Sequence, residues 1–116
     1  MTNKEIIEKY LNNENARNNN LMSLDNKLYS YDLLISEIKD HKKFIFDYDI
    51  NTIKQITGYK SLTTRKHIGV LKEALKNDLL SVIVSFKHYK RTDKEIKDLR
   101  SLTIKGTNHY QIQTTK

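Results

Sequence analysis

The chain contains no cysteine, no proline, no tryptophan and three glycines among 116 residues. Without cysteine there are no disulfides and no thiolate metal ligands, which suits a reducing compartment. Three glycines leave no glycine-rich phosphate loop. No apolar run approaches the ~20 residues a membrane-spanning helix requires. The opening Met-Thr-Asn-Lys-Glu-Ile-Ile-Glu-Lys-Tyr carries acids and no apolar signal core, so a cytoplasmic protein with no membrane partner is expected. The four histidines are scattered, with no His-x-x-x-His pair and no clustered acids, so neither metal nor cofactor is expected.

What the chain does have is positive charge, unevenly placed. Residues 1–58 hold eight Lys/Arg against nine Asp/Glu, a balance of −1, and residues 59–116 hold thirteen against five, a balance of +8. A composition rich in Lys, Asn and Ile accounts for some of the lysines but not for the asymmetry. A surplus confined to one half points to a polyanionic partner. The length allows one domain, residues 1–116, with an N-terminal helix and Asn-rich loop over 1–20 and an α+β core over 21–116.

The densest chemistry lies between Gly58 and Asn77. Ser61, Thr63 and Thr64 precede a helix-period run, where short hydroxyl side chains cap unpaired backbone N–H groups. Ile68, Leu71 and Leu75 recur at helical spacing, with Val70 and Ala74 widening the stripe. Arg65, Gly69, Lys72 and Lys76 fall on another face. One amphipathic helix over 64–77 is predicted, its N-terminus suited to an anion through free N–H groups, hydroxyls, Arg65 and Lys66. An ordinary capped helix with a solvated charged face has the same pattern.

Around this helix the periodicity predicts a short helix over 3–12 with Ile6, Ile7, Tyr10 and Leu11 on one side, then an Asn-rich loop over 12–20 that carries Arg17. Strands are predicted over 21–24 and, after a turn at 25–27, over 28–38, where Tyr29, Tyr31, Leu33 and Ile35 share a face. After a turn at 40–42, Phe44, Phe46, Tyr48 and Ile50 alternate with Ile45, Asp47 and Asp49. Residues 51–57 fit a helical turn or an irregular strand. Leu79 to Phe86 reads as a buried strand, with helix continuation as the rival. Thr92-Asp93-Lys94-Glu95 opens a short helix to Arg100, Gly106 marks a turn, and residues 109–113 suggest an edge strand. The expected fold is α+β: an antiparallel sheet of four to five strands packed on one central amphipathic helix, with short helices at the ends.

Three pieces of sequence stand in a telling order: Asn18-Asn19-Asn20; then Leu28-Tyr29-Ser30-Tyr31 with Ile35-Ser36; then Tyr59-Lys60-Ser61-Leu62-Thr63-Thr64-Arg65-Lys66-His67. Across residues 16–76 the chain resembles a family of small phage and mobile-element proteins with an Asn-rich lead, a Leu-Tyr-Ser-Tyr strand and a Tyr-Ser-x-Thr-Thr-x-x-His helix start. Here Lys60 separates Tyr59 from Ser61, which are adjacent in that family, and the link after the Phe44 strand is longer. The resemblance implies a phage or mobile-element origin and brings no established chemistry. Small basic phage proteins often inhibit host defence systems, CRISPR included, by binding nucleic acid or a ribonucleoprotein.

Three functions compete. The first is non-catalytic nucleic-acid binding, RNA favoured over DNA, by Arg17, Tyr29, Tyr31, Lys60, Ser61, Thr63, Thr64, Arg65, Lys66 and His67, followed by Lys72, Lys76, Lys90 and Arg91. Lys87, Lys94, Lys97 and Arg100 add to the charge. The second is a metal-independent ribonuclease with His67 as general base, Arg65 or Lys66 stabilising the phosphorane, and Tyr29, Tyr31 or another histidine as acid. The third is a protein-binding inhibitor of a host complex, whose basic half meets an acidic patch.

Overall fold

The structure is a computed structural model and describes residues 1–87 and 89–103. The expected turn at Gly106 and edge strand at 109–113 lie outside the described residues, as do His88 and His109. Helix α1 (Asn3–Leu11) opens on a capping box in which Thr2 and Glu5 satisfy each other's backbone N–H. Then come β1 (Ala16–Arg17), β2 (Leu21–Leu24), β3 (Lys27–Ser30), β4 (Leu33–Lys39) and β5 (Lys42–Tyr48), each antiparallel to the one before. Helices α2 (Ile50–Thr57) and α3 (Leu62–Ala74) carry the chain back so that β6 (Ser81–Phe86) runs parallel to β5. A parallel neighbour requires such a crossover. Helix α4 (Asp93–Leu99) and a 3-10 turn at Arg100–Leu102 follow.

Among the described residues the sheet is therefore six-stranded and mixed, with four separate helices, and not a four- to five-stranded antiparallel sheet on one central helix. Three local causes account for the difference. The expected strand over 28–38 is two strands, because Tyr31 takes φ 54° in a two-residue turn between the paired Ser30 and Leu33. The Asn-rich segment contributes β1. Residues 50–57 form a full helix, capped by Asp49 at one end and by left-handed Gly58 at the other. The other two hairpin turns, Asp25-Asn26 and Asp40-His41, have positive φ at both residues, as a type I′ hairpin turn requires.

One core joins Ile6, Ile7 and Tyr10 of α1 to Leu21, Leu28, Leu33, Ile35, Ile45 and Tyr48 of the sheet, Ile53 and Ile56 of α2, and Ile68, Leu71 and Leu75. The buried stripe of α3 is the expected one. At about 1.5–3 kcal/mol per fully buried aliphatic it outweighs the ~1 kcal/mol that Gly69 costs inside a helix. Val70 and Ala74, expected to widen the stripe, are exposed instead. The apolar run over 79–86 is not buried either. Leu79 is 97% exposed, Leu80, Val82 and Ile83 are exposed, and β6 stands at the end of the strand order. No helix among the described residues is long and apolar enough to cross a membrane.

Candidate functional site

Three chain segments meet at the start of α3. Ser61 caps the helix: its Oγ accepts from the Thr64 backbone N–H at 3.1 Å and donates to Thr64 Oγ1 at 2.9 Å. Thr64 Oγ1 lies 3.0 Å from Ser30 Oγ, at the end of β3, and Ser30 Oγ lies 2.7 Å from His67 Nδ1. His67 Nε2 faces Asn3 Nδ2 at 3.3 Å. All of these side chains except Ser61 and Asn3 are buried.

The Asn-rich loop fixes how protons are arranged along this chain. Asn18 Oδ1 accepts from the Asn20 and Leu21 backbone N–H groups, so its Nδ2 donates, to Asn3 Oδ1 at 2.8 Å and to Met1 O. Asn3 therefore turns Nδ2 toward His67, and Nε2 must be the bare nitrogen. The proton sits on Nδ1 and is donated to Ser30, whose own proton serves Thr64 Oγ1. With that order of donors Thr64 accepts from both sides, and its hydroxyl proton is left for an acceptor in the cavity it lines. Burial lowers the His67 pKa, and the donor facing Nε2 likewise favours the neutral ring.

Above the hydroxyls is a cavity of ≈ 430 Å³. Leu33, Ile53 and Ile56 form its apolar wall; Ser30, Ser61, Thr64 and Thr57 bring hydroxyls, and Arg100 brings a guanidinium from beyond α4. Tyr31 and Tyr59, 43% and 60% exposed, stand at its mouth and also line a shallow hollow with Lys60 and Thr63. The volume lies within the roughly 300–1,000 Å³ of small-ligand sites. Asp32 also lines the cavity, so its one cation, Arg100, is matched by one carboxylate. Hydroxyls, this pair of charges and two exposed rings over an apolar wall suit a ligand with both a flat face and a hydroxylated part, with Arg100 placed for an anionic group.

The structure gathers Tyr31, Lys60, Ser61, Thr63, Thr64 and His67 at this place and sends the other candidates elsewhere. Tyr29 is buried in the sheet between Met22 and Leu34, so its ring has no face for a base. Arg17 is exposed on β1, outside the cavity lining. Arg65 Nη1 donates to Asp47 Oδ1 and to Tyr48 O, both at 2.6 Å, and Lys72 Nζ reaches Asp47 Oδ2 at 3.0 Å. Burial alone would raise the Asp47 carboxyl; the hydrogen bonds from Arg65 and Lys72 win and hold it below the usual range. Lys76 pairs with Glu73 at 2.6 Å. Lys66 is exposed on a different side of α3, beside α1. Arg91 bonds Gln55 and the Lys87 carbonyl and lies 4.1 Å over the Tyr89 ring, while Lys90 is exposed. Ser30, Asn3, Tyr59 and Arg100 were missing from the expected contact set. A serine inside the strand motif and a tyrosine before the cap were visible in the sequence, but the meeting of Ser30 with Thr64 across 34 residues was not.

Among the described residues, no group of three or more His, Cys, Asp or Glu could hold a metal ion. Comparison of the chain with protein-family models, with curated proteins and with solved structures finds no match.

Proposed function

We propose that the chain binds single-stranded nucleic acid without cleaving it, RNA in preference to DNA, through the cavity at the start of α3. The carrying observation is the meeting of Ser30, Ser61, Thr64 and Arg100 with the exposed rings of Tyr31 and Tyr59 around one cavity. Tyrosine rings stack on unpaired bases at about 1–3 kcal/mol per base. Hydroxyls that both donate and accept match a ribose 2′-OH, which DNA lacks. Among the described residues Lys60, Lys90, Lys94, Lys97 and Arg100 have no carboxylate partner and remain available to phosphates. A host ribonucleoprotein is the target that the phage-like motifs suggest. Cleavage has less support, since both His67 nitrogens are engaged and Arg65 is held by Asp47 and the Tyr48 carbonyl.

The test is binding of labelled single-stranded RNA and DNA across a salt series. The expected result is intact RNA retarded more strongly than DNA, weakening as salt rises. Tyr59→Ala and Arg100→Ala should each lower RNA affinity by about five- to a hundredfold, as loss of a stacking ring or a phosphate contact does. Equal loss on Lys76→Ala, which lies away from the cavity, would leave a diffuse charge effect and no site.

A further inference from the structure

We infer that the groove between α1 and α3 is a self-association surface, and that two copies of the chain dock there antiparallel about a two-fold axis. The groove measures ≈ 740 Å³ and has apolar walls, Ile7 and Leu11 from α1 and Val70 and Ala74 from α3. Its floor is Gly69, where an added Cβ would meet no atom within 4 Å. Val70 is 52% exposed although it sits in mid-helix beside the core stripe. An open glycine next to exposed aliphatics lets another helix approach closely.

The rim decides which occupant fits. Helices α1 and α3 run in the same direction. Asn3, at the start of α1, touches His67 near the start of α3. Asn15, just past α1, bonds the Asp25 N–H where β2 turns away, and Asp78, just past α3, holds Lys43 at the first turn of β5. Lys4 and Lys66 therefore mark one end of the groove, and Glu8 and Glu73 stand farther along it. The rim is neutral overall but bipolar. A neutral rim has no net attraction for a polyanion or an anionic bilayer. A second copy turned end for end places each Lys pair over the partner's Glu pair, which is the self-complementarity an isologous interface needs. The Lys76–Glu73 pair is exposed on both sides, and such pairs are weak enough to open for a better partner.

Sedimentation equilibrium at low ionic strength, over a wide concentration range, tests this. The wild-type chain is expected to dimerise and to dissociate as salt rises. The variants Lys4→Glu/Lys66→Glu and Glu8→Lys/Glu73→Lys should each self-associate at least about tenfold more weakly, since like charges then face each other. Mixed in equal amounts, the two should recover a dimer. Gly69→Leu should remain folded by circular dichroism, the added side chain having room, and be monomeric because it fills the groove. A wild-type chain that stays monomeric at every concentration overturns the proposal. So does a dimer that survives Gly69→Leu, or a failure of the two charge variants to combine. RNA binding through the cavity stands or falls separately, since the groove shares no lining residue with it.

Discussion

Protonating His67 would set a second N–H against the Asn3 amide, whose orientation is held by Asn18 and, through it, by two backbone N–H groups. The ring is 4% exposed and its pKa is lowered by burial from 6.5. A histidine with a depressed folded pKa takes up its proton more readily in the unfolded chain. Its stabilisation is complete above the unfolded value near 6.5 and is lost as pH falls below it toward the folded value. Urea midpoints measured from pH 7.5 down to 5 should thus fall more steeply for the wild type than for His67→Gln. The variant should itself be about 1–3 kcal/mol less stable at pH 7.5, because Ser30 and Asn3 lose their partner. Equal slopes would mean that the histidine titrates freely. The Asp47 contribution belongs to another window: it is present above the unfolded value near 3.8 and lost on acidification below that. The sequence placed His67 in the first turn of a helix; the helix starts earlier, at Leu62, and His67 falls in its second turn. Its burial was not legible, because the groups that bury it are 37 and 64 residues away.

At the scale of elements, the turn between β3 and β4 is where structure and binding compete. Tyr31 adopts φ 54° without being glycine, a conformation that bulky side chains resist and asparagine tolerates. Its ring is half exposed beside the cavity, 6.3 Å from the His67 ring. Tyr31→Asn should raise stability by about 0.5–1 kcal/mol through relief of the backbone. It should at the same time lower RNA affinity by the loss of a stacking face, a change of about 1–3 kcal/mol. Thermal unfolding and RNA titration of the same variant check both, and a joint fall would mark the ring as a packing residue. This turn was hidden because the residue at positive φ is a tyrosine, with no turn preference of its own, and because Leu28, Tyr29, Leu33 and Ile35 continue the expected strand alternation around it. The turns at Asp25-Asn26 and Asp40-His41 were legible from residues that favour positive φ. The Thr92 capping box and the α3 cap could be read because the contacts span three residues; the Thr2–Glu5 box has the same spacing but was not singled out. The apolar run of β6 was read as buried since hydropathy cannot tell an edge strand from a central one; its position follows from the crossover through α2 and α3.

For the whole molecule, the charge asymmetry in the sequence overstated the positive surface. Asp47, from the acidic half, holds two of the central cations, and Glu73 holds a third. Among the described residues, what remains is a cavity with Arg100 at its edge and Lys60 in the adjoining hollow, together with Lys90, Lys94 and Lys97, exposed and without a carboxylate partner. Binding by a site of this kind should be local, whereas binding by summed charge would spread over the surface. The most direct measurement is a set of ¹H–¹⁵N spectra of the protein titrated with a short single-stranded RNA at moderate salt. The expected shifts cluster at Ser30–Leu33, at Tyr59–Thr64 and around Arg100, leaving Lys72 and Lys76 unmoved. Shifts scattered across lysines on every side, or no saturable shift at the cavity, would contradict the account.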